Sequence, residues 1–171
     1  MPRLPAESFR KQGSGKKIGT QSNLFAQPAS SPSPEPNYVV AYIDGGARGN
    51  PGPAGYGVVL KDSAGKNLAE LSRYLGLRTN NYAEYCGLLA ALDHAVQNGM
   101  LALRVVSDSE LLVRQMSGEY KVRSPELREL YERARALVRR LDSFRIEHVR
   151  REKNRDADRL ANRAMDEGMK G

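Results

Sequence analysis

Two acidic residues each follow a short apolar run that is typical of a buried β-strand. Asp44 follows residues 38–43, and Asp108 comes shortly after residues 103–106. Ligands of open α/β sheets bind beyond the carboxyl ends of parallel strands, so these two side chains could meet there. Neighbouring carboxylates repel each other, and one pKa rises unless a cation lies between them. An all-oxygen ligand set favours Mg²⁺ or Mn²⁺ over Zn²⁺.

Two further carboxylates lie near the starts of predicted helices. Glu84 falls in the first turn of a helix predicted over residues 82–98, on a face that also carries small side chains. Asp158 falls in the first turn or two of a helix predicted over residues 155–167. Both side chains could point back toward the sheet. Four carboxylates around one point could hold the pair of metal ions that phosphoryl transfer uses.

Each carboxylate also has an ordinary structural interpretation. Residues 81–84 (Asn-x-x-Glu) and residues 107–110 (Ser-x-x-Glu) both match a helix capping box. Asp108 could be a helix N-cap, and Asp158 could merely complement a helix dipole. Charge and spacing alone therefore indicate a metal-dependent nuclease as one function and leave the structural alternatives open.

The elements that must position these residues alternate between strands and helices. Hydrophobic periodicity and turn signals predict three strands in an antiparallel meander, then a helix, a strand, two helices, a strand and a helix. The strands are predicted at residues 38–43, 56–60, 68–75, 103–106 and 144–149, with a glycine-rich turn over 45–55. The helices are predicted at residues 82–98, 109–116, from Ser124-Pro125 onward, and at 155–167. This order predicts an α/β layer fold with a mixed sheet.

Composition narrows the class of protein. The formal net charge is +7, which suits a polyanionic partner such as nucleic acid, although solubility alone is an alternative. One cysteine, Cys86, excludes an internal disulfide, and only two histidines leave little for a zinc site. No apolar run approaches the ~20 residues that cross a membrane, so we expect no membrane partner.

The first part of the chain differs in composition from the rest. Residues 1–37 are basic and rich in serine and proline, which predicts a disordered tail, and residues 38–171 form the predicted domain. The absence of an apolar leader favours a cytoplasmic protein. An organelle-targeting role for the basic tail is the alternative.

Four segments closely resemble the signatures of the type 1 ribonuclease H family, in the same order. They are DGGARGNPGPAGYG at residues 44–57, TNNYAEY at 79–85, SDSELL at 107–112 and NRDADRLAN at 154–162. The resemblance extends from residue 38 to about residue 167. It implies the ribonuclease H-like fold, a five-stranded mixed sheet with three antiparallel strands followed by two parallel ones, flanked by helices.

The resemblance also implies an activity. A member of this family would be an endonuclease that hydrolyses the RNA strand of RNA–DNA hybrids with two Mg²⁺ ions, for which Mn²⁺ could substitute, leaving 5′-phosphate and 3′-hydroxyl ends. Asp44 would bridge both ions. Glu84 and Asp108 would hold the ion near the leaving 3′ oxygen, and Asp158 would hold the ion that activates water. We expect a monomer whose partner is the hybrid.

The family positions of four polar residues imply contact with the substrate. Asn50, Asn80 and Asn81 carry both donors and acceptors, which suit 2′-hydroxyl groups and base edges in a shallow minor groove. Thr79 matches a position that contacts the DNA phosphate. Turn formation and helix capping are the alternatives for all four residues.

The sequence departs from the family in three places. The loop at residues 150–154 has no histidine, and Glu152 is a weak candidate to replace it, since His148 belongs to the predicted fifth strand. Residues 118–123 are too short for a basic, tryptophan-rich protrusion; Lys121, Arg123, Arg150, Arg151 and Lys153 could contact phosphates instead. Glu110 stands where a neutral side chain is common. The competing functions are a nuclease that acts on DNA junctions and a noncatalytic nucleic-acid-binding module.

Overall fold

A computed structural model describes residues 37–171, and it contains one five-stranded sheet flanked by helices. The strands are β1 (Val39–Ala47), β2 (Gly52–Asp62), β3 (Asn67–Arg78), β4 (Ala102–Ser107) and β5 (Ser143–His148). The helices are α1 (Asn80–Gln97), α2 (Glu110–Met116), α3 (Pro125–Val138) and α4 (Arg155–Lys170), with a 3₁₀ turn at Arg151–Lys153. The tail predicted at residues 1–37 lies, apart from Asn37, outside the described residues.

The strands are ordered β3-β2-β1-β4-β5, which confirms the predicted mixed sheet. β1 pairs antiparallel with β2, as β2 does with β3, whereas β1–β4 and β4–β5 are parallel. The last pair between β1 and β4 joins Ile43 to Ser107. Because Asp44 and Asp108 are the next residues of these two strands, the topology brings them side by side.

The alternation of side chains along the strands gives the sheet two different faces. On one face, Ile43, Val58 and Val105 join Leu88 and Leu92 of α1 in a buried apolar cluster that α3 also enters. The other face is covered by α4, whose contacts are chiefly with β1, β2 and β3. Burial of each aliphatic side chain contributes about 1.5–3 kcal/mol to the free energy of folding, so packing on both faces holds the helices against the strands.

The glycine-rich segment at residues 45–55 is mostly strand, so its prediction as a turn is wrong. β1 continues through Ala47, β2 begins at Gly52, and only residues 48–51 turn the chain. The glycines are needed where helices contact the strands. A Cβ at Gly45 would lie 2.4 Å from the Ala83 carbonyl carbon in α1, and one at Gly57 would lie 2.4 Å from the Ala157 carbonyl oxygen in α4.

Side-chain caps begin the first three helices. Thr79 accepts a hydrogen bond from the Tyr82 amide at 3.1 Å and caps α1. Ser109 caps α2, and Ser124 caps α3, which begins with Pro125 at the position where the sequence predicted a helix start. The alternative interpretation of residues 81–84 and 107–110 as capping boxes is therefore wrong, and Asp108 is not an N-cap. Glu84 and Asp108 remain available for other contacts.

None of the helices within residues 37–171 combines the length and the apolar character that a transmembrane segment needs.

The close contact at Gly45 predicts a difference between two neighbouring glycines. We expect Gly45→Ala to lower the free energy of unfolding by about 2–3 kcal/mol, because the new methyl group would collide with the backbone of α1. Gly46→Ala is the matched control in the same strand, since its Cβ would approach no atom closer than 3.8 Å. Urea unfolding measures both values. Equal losses in the two variants would contradict the packing of α1 on β1.

Candidate active site

Three carboxylates converge where β1, β4 and α1 meet. Asp44, Glu84 and Asp108 each offer an oxygen within 4.8 Å of an oxygen of the other two. Asp44 and Glu84 are buried, at 9% and 6% exposure, and Asp108 is half-buried. Asp108 directly follows β4 as predicted, but Asp44 lies within β1 opposite Gly57, because β1 extends past it.

Glu84 is held by backbone and side-chain hydrogen bonds. The Gly45 amide donates to its Oε1 atom, and the Ser109 hydroxyl also hydrogen-bonds to the carboxylate. Because α1 begins at Asn80, Glu84 lies just beyond the first turn rather than within it. The same absence of a Cβ that lets α1 approach Gly45 thus lets the strand amide reach the carboxylate.

Asp158 joins the other three carboxylates at the edge of the group. It projects from the first turn of α4 and hydrogen-bonds to Asp44. Its Oδ1 atom also lies 3.7 Å from a guanidinium nitrogen of Arg151. The structure therefore brings all four predicted carboxylates together, three of them in a tight group.

The carboxylates form the floor of an open cleft of about 360 Å³. Its walls come from the end of β1, the first turn of α1 and the inward side of α4. The lining residues, apart from the four acids, are Gly45, Gly46, Ala47, Arg48, Asn80, Ser109, Arg151, Asn162 and Met165. The four acids and Arg151 therefore line the same cleft.

Burial and mutual repulsion shift the protonation of the carboxylates. Burial, and after it the charges of Glu84, Asp108 and Asp158, raise the pKa of Asp44 to about 9. Burial and the charge of Asp108 raise the pKa of Glu84 to about 8, against the hydrogen bonds from Gly45 and Ser109. Burial also raises the pKa of Asp108, although its hydrogen bond with Asp44 and the charge of Arg151 lower it. Without a cation, the group therefore retains protons near neutral pH.

Of the predicted substrate-binding residues, Asn80 lines the cleft, and Asn50 is bonded to it. Asn80 accepts a hydrogen bond from the Ala47 amide at 2.8 Å, and its own amide donates to Asn50 Oδ1 at 3.0 Å. These bonds join the turn at residues 48–51 to the start of α1. Thr79 serves as the cap of α1, and Asn81 lies in the first turn. Substrate contact by these four residues remains a prediction.

A model of the Reverse transcriptase-like family matches residues 42–164 of the chain. The Ribonuclease HI of Halobacterium salinarum is 43% identical over 129 residues, which cover 75% of this chain and 65% of that protein. The crystal structure of LC11-RNase H1 in complex with RNA/DNA hybrid is 44% identical, with a TM-score of 0.73, over 77% of this chain and 99% of that one. The chain belongs to the type 1 ribonuclease H family.

A longer protein is similar to the same part of this chain. The Bifunctional protein Rv2228c of Mycobacterium tuberculosis is 50% identical over 129 residues, which are 75% of this chain but 35% of that protein. The structure of its N-terminal RNase H domain has a TM-score of 0.76 and covers 78% of this chain. This chain thus spans less than two thirds of the length of the curated relatives that it matches. The similarity confirms the family and the fold that the four sequence segments predicted.

The residues at which this chain departs from the family pattern are also described by the structure. Glu152 is exposed and lines a separate cavity with Tyr42 and Lys61, whereas Arg151 lines the cleft. His148 is the exposed last residue of β5. Glu110 is exposed and pairs with Arg114 at 2.7 Å. Of Glu110, His148, Arg151 and Glu152, the structure therefore places Arg151 next to the carboxylates.

Two residues of the site were missed by the sequence analysis. Ser109 was assigned only to the start of a helix, yet it both caps α2 and hydrogen-bonds to Glu84. Its position directly after Asp108 was the available signal. Arg48 links the 48–51 turn to Asp166 and Asn162 of α4, and this long-range contact has no local signal in the sequence.

The raised pKa of Asp44 predicts a pH-dependent effect of Asp44→Asn. The unfolded chain releases this proton near its ordinary pKa of 3.8, whereas the folded chain keeps it until about 9. The stability that this proton contributes is therefore complete at low pH and is lost as the pH rises through this window. With a chelator present, we expect Asp44→Asn to be more stable than the native chain by about 2 kcal/mol or more at about pH 8, and nearly equal at about pH 4.

Chemical unfolding at several pH values measures this difference. Asp142→Asn is the matched control, because Asp142 is exposed and lies outside the cleft, and its profile should follow that of the native chain. Parallel profiles for the native chain and Asp44→Asn would show that Asp44 is not held in a raised-pKa environment.

Proposed function

We propose that this protein is a metal-dependent endonuclease that hydrolyses the RNA strand of RNA–DNA hybrids. The observation that carries the proposal is the group of three carboxylates within 4.8 Å on the floor of an open cleft. Membership of the type 1 ribonuclease H family supports the reaction class. The related LC11-RNase H1, solved with an RNA/DNA hybrid, supports the class of substrate.

The donor set of the cleft fits divalent metal ions. It includes four carboxylates, whose oxygens Mg²⁺ prefers as ligands. Burial and the neighbouring carboxylates raise the pKa values of Asp44 and Glu84, and a divalent cation would offset both effects. Asp44, Glu84, Asp108 and Asp158 would hold two Mg²⁺ ions, or Mn²⁺ in their place. When bound, the ions would supply Lewis acidity toward the scissile phosphate and the nucleophilic water.

The residues of the chain fix the geometry of this reaction. Asp44 lies close to Glu84 and Asp108 and hydrogen-bonds to Asp158, so it is the carboxylate that we would expect to contribute to both metal sites. The Gly45 amide and the Ser109 hydroxyl keep the Glu84 carboxylate oriented. Attack of water on the phosphorus in line with the 3′ oxygen would leave 5′-phosphate and 3′-hydroxyl ends.

Asn50 and Asn80 are suited to distinguishing RNA from DNA. Backbone amides already engage the Oδ1 atoms of Asn50 and Asn80, which orients both amide groups. We expect their Nδ2 atoms to donate to the substrate, where the 2′-hydroxyl distinguishes RNA from DNA. Asn81 and Thr79, at the start of α1, would contact the adjoining sugar and phosphate.

Among the residues before α4, we expect Arg151, rather than Glu152, to assist the reaction by contacting the substrate. Its ion pair with Asp158 is long, at 3.7 Å, and its side chain is 80% exposed. Exposed ion pairs of this kind contribute little, about 0–1 kcal/mol, so Arg151 can leave Asp158 for a substrate phosphate. Glu152 faces another cavity and would need the loop to rearrange.

Cleavage of labelled substrates with Mg²⁺ tests the proposal. We expect cutting of an RNA–DNA hybrid and no comparable cutting of duplex DNA, duplex RNA, single-stranded RNA or a four-way DNA junction. Asp44→Asn should lower the rate by about a hundredfold or more, since it removes a charge on which the metal site depends. Junction cutting would indicate a different nuclease, and hybrid binding without cutting would indicate a noncatalytic module.

The same assay separates the two loop residues. We expect Glu152→Gln to stay within about twofold of the native rate and Arg151→Ala to lose about tenfold, as for removal of one charged contact. Arg140→Ala is the matched control, because Arg140 is exposed, follows the end of α3 and does not line the cleft. A larger loss in Glu152→Gln than in Arg151→Ala would return the auxiliary role to Glu152.

A further inference from the structure

Asn154 is a buried polar residue that the proposed reaction gives no role; it lines the cavity next to Glu152 rather than the cleft. It lies between the 3₁₀ turn and α4 and is 1% exposed. Its Nδ2 atom donates a hydrogen bond of 2.7 Å to the carbonyl oxygen of Ile43, which is 111 positions away along the chain. Its Oδ1 atom is buried with no hydrogen-bond partner among residues 37–171.

The hydrogen bond from Asn154 Nδ2 is made where the pairing of β1 with β4 ends. Ile43 and Ser107 form the last pair between β1 and β4, yet β1 continues to Ala47. β4 ends at this pair, and the side chain of Asn154 supplies a donor to the carbonyl group of Ile43. The next residue of β1 is Asp44, so this bond fixes the strand directly before the central carboxylate.

The backbone of Asn154 makes two further connections. Its carbonyl oxygen accepts from the Asp158 amide at 3.1 Å, and its amide donates to the Arg151 carbonyl oxygen at 2.9 Å. A single residue is therefore bonded to the strand that carries Asp44, to the first turn of the helix that carries Asp158, and to the loop that carries Arg151.

The unpartnered Oδ1 atom indicates why an asparagine stands here. Nearly all buried polar groups in proteins are paired, because an unsatisfied group costs about 1–3 kcal/mol. An apolar side chain would avoid that cost but could not donate to Ile43. The useful part of Asn154 is therefore the bond from its Nδ2 atom to β1.

We propose that Asn154 is a positioning residue that sets the spacing between the carboxylates of Asp44 and Asp158. The inference rests on the proposed function, since it assigns Asn154 a part in the same reaction. Asn154 touches neither substrate nor the reacting atoms. It acts by holding the start of α4 against β1, so that Asp158 stays within hydrogen-bonding distance of Asp44.

The first arm of the test is steady-state cleavage of an RNA–DNA hybrid with Mg²⁺ by the full chain. We expect Asn154→Ala to lower kcat about tenfold or more and to change KM less than about twofold, because the substrate-binding side of the cleft is untouched. Asn98→Ala is the matched control: it also removes an asparagine-to-carbonyl hydrogen bond, of 2.8 Å, but at the far end of α1. Each variant is assayed well below its own unfolding temperature, so that loss of stability alone does not lower kcat.

The second arm needs no activity. Amide hydrogen exchange, measured without metal, should be at least about tenfold faster at Asp158 in Asn154→Ala and unchanged in the middle of β3. Asn154→Ser is measured in the same way and takes the place of Asn154→Ala if the latter does not fold. A kcat within about twofold of Asn98→Ala, or unchanged exchange at Asp158, would overturn the proposal. If the native chain does not cut the hybrid, the proposed function fails, and the exchange arm still decides whether Asn154 fixes the start of α4.

Discussion

The repulsion between Asp44, Glu84 and Asp108 is the constraint on which the rest of this structure depends. Three carboxylates in a half-buried cleft are unfavourable by themselves, and burial raises the pKa of each. A chain that only had to fold would disperse them or bury apolar groups in their place. In this fold, the free energy gained by packing the two apolar layers offsets the cost of holding the carboxylates together. Functional sites commonly lower the stability of a protein in this way.

The fold holds the carboxylates by letting backbone approach backbone. At Gly45, the missing side chain lets α1 contact β1 and lets a strand amide bond to Glu84. The parallel pairing of β1 with β4 places Asp108 beside Asp44. On the opposite face, Gly57 admits α4, which carries Asp158. Each acid thus comes from a different element, and the sheet is the common support.

The sequence predicted the parts of this arrangement that have local signals. Apolar runs predicted the strands before Asp44 and Asp108, and helical periodicity predicted α1 and α4. The segment at residues 45–55 was mispredicted because glycine signals a turn locally, whereas here it serves contacts with helices that are distant in sequence. The contact of Asn154 with Ile43 was unpredictable for the same reason, since nothing local marks a bond across 111 positions. The interpretation of residues 81–84 and 107–110 as capping boxes was wrong because neighbouring residues, Thr79 and Ser109, cap the helices.

We propose that the chain keeps these carboxylates together to bind a divalent cation. Calorimetric titration of the metal-free chain with Mg²⁺, at about pH 7 in two buffers of different ionisation enthalpy, tests it most directly. Because the pKa values of Asp44 and Glu84 are raised to about 9 and about 8, we expect binding to release about one to two protons. Asp44→Asn should bind more weakly and release fewer protons. Binding without proton release, or equal binding by Asp44→Asn, would contradict the account.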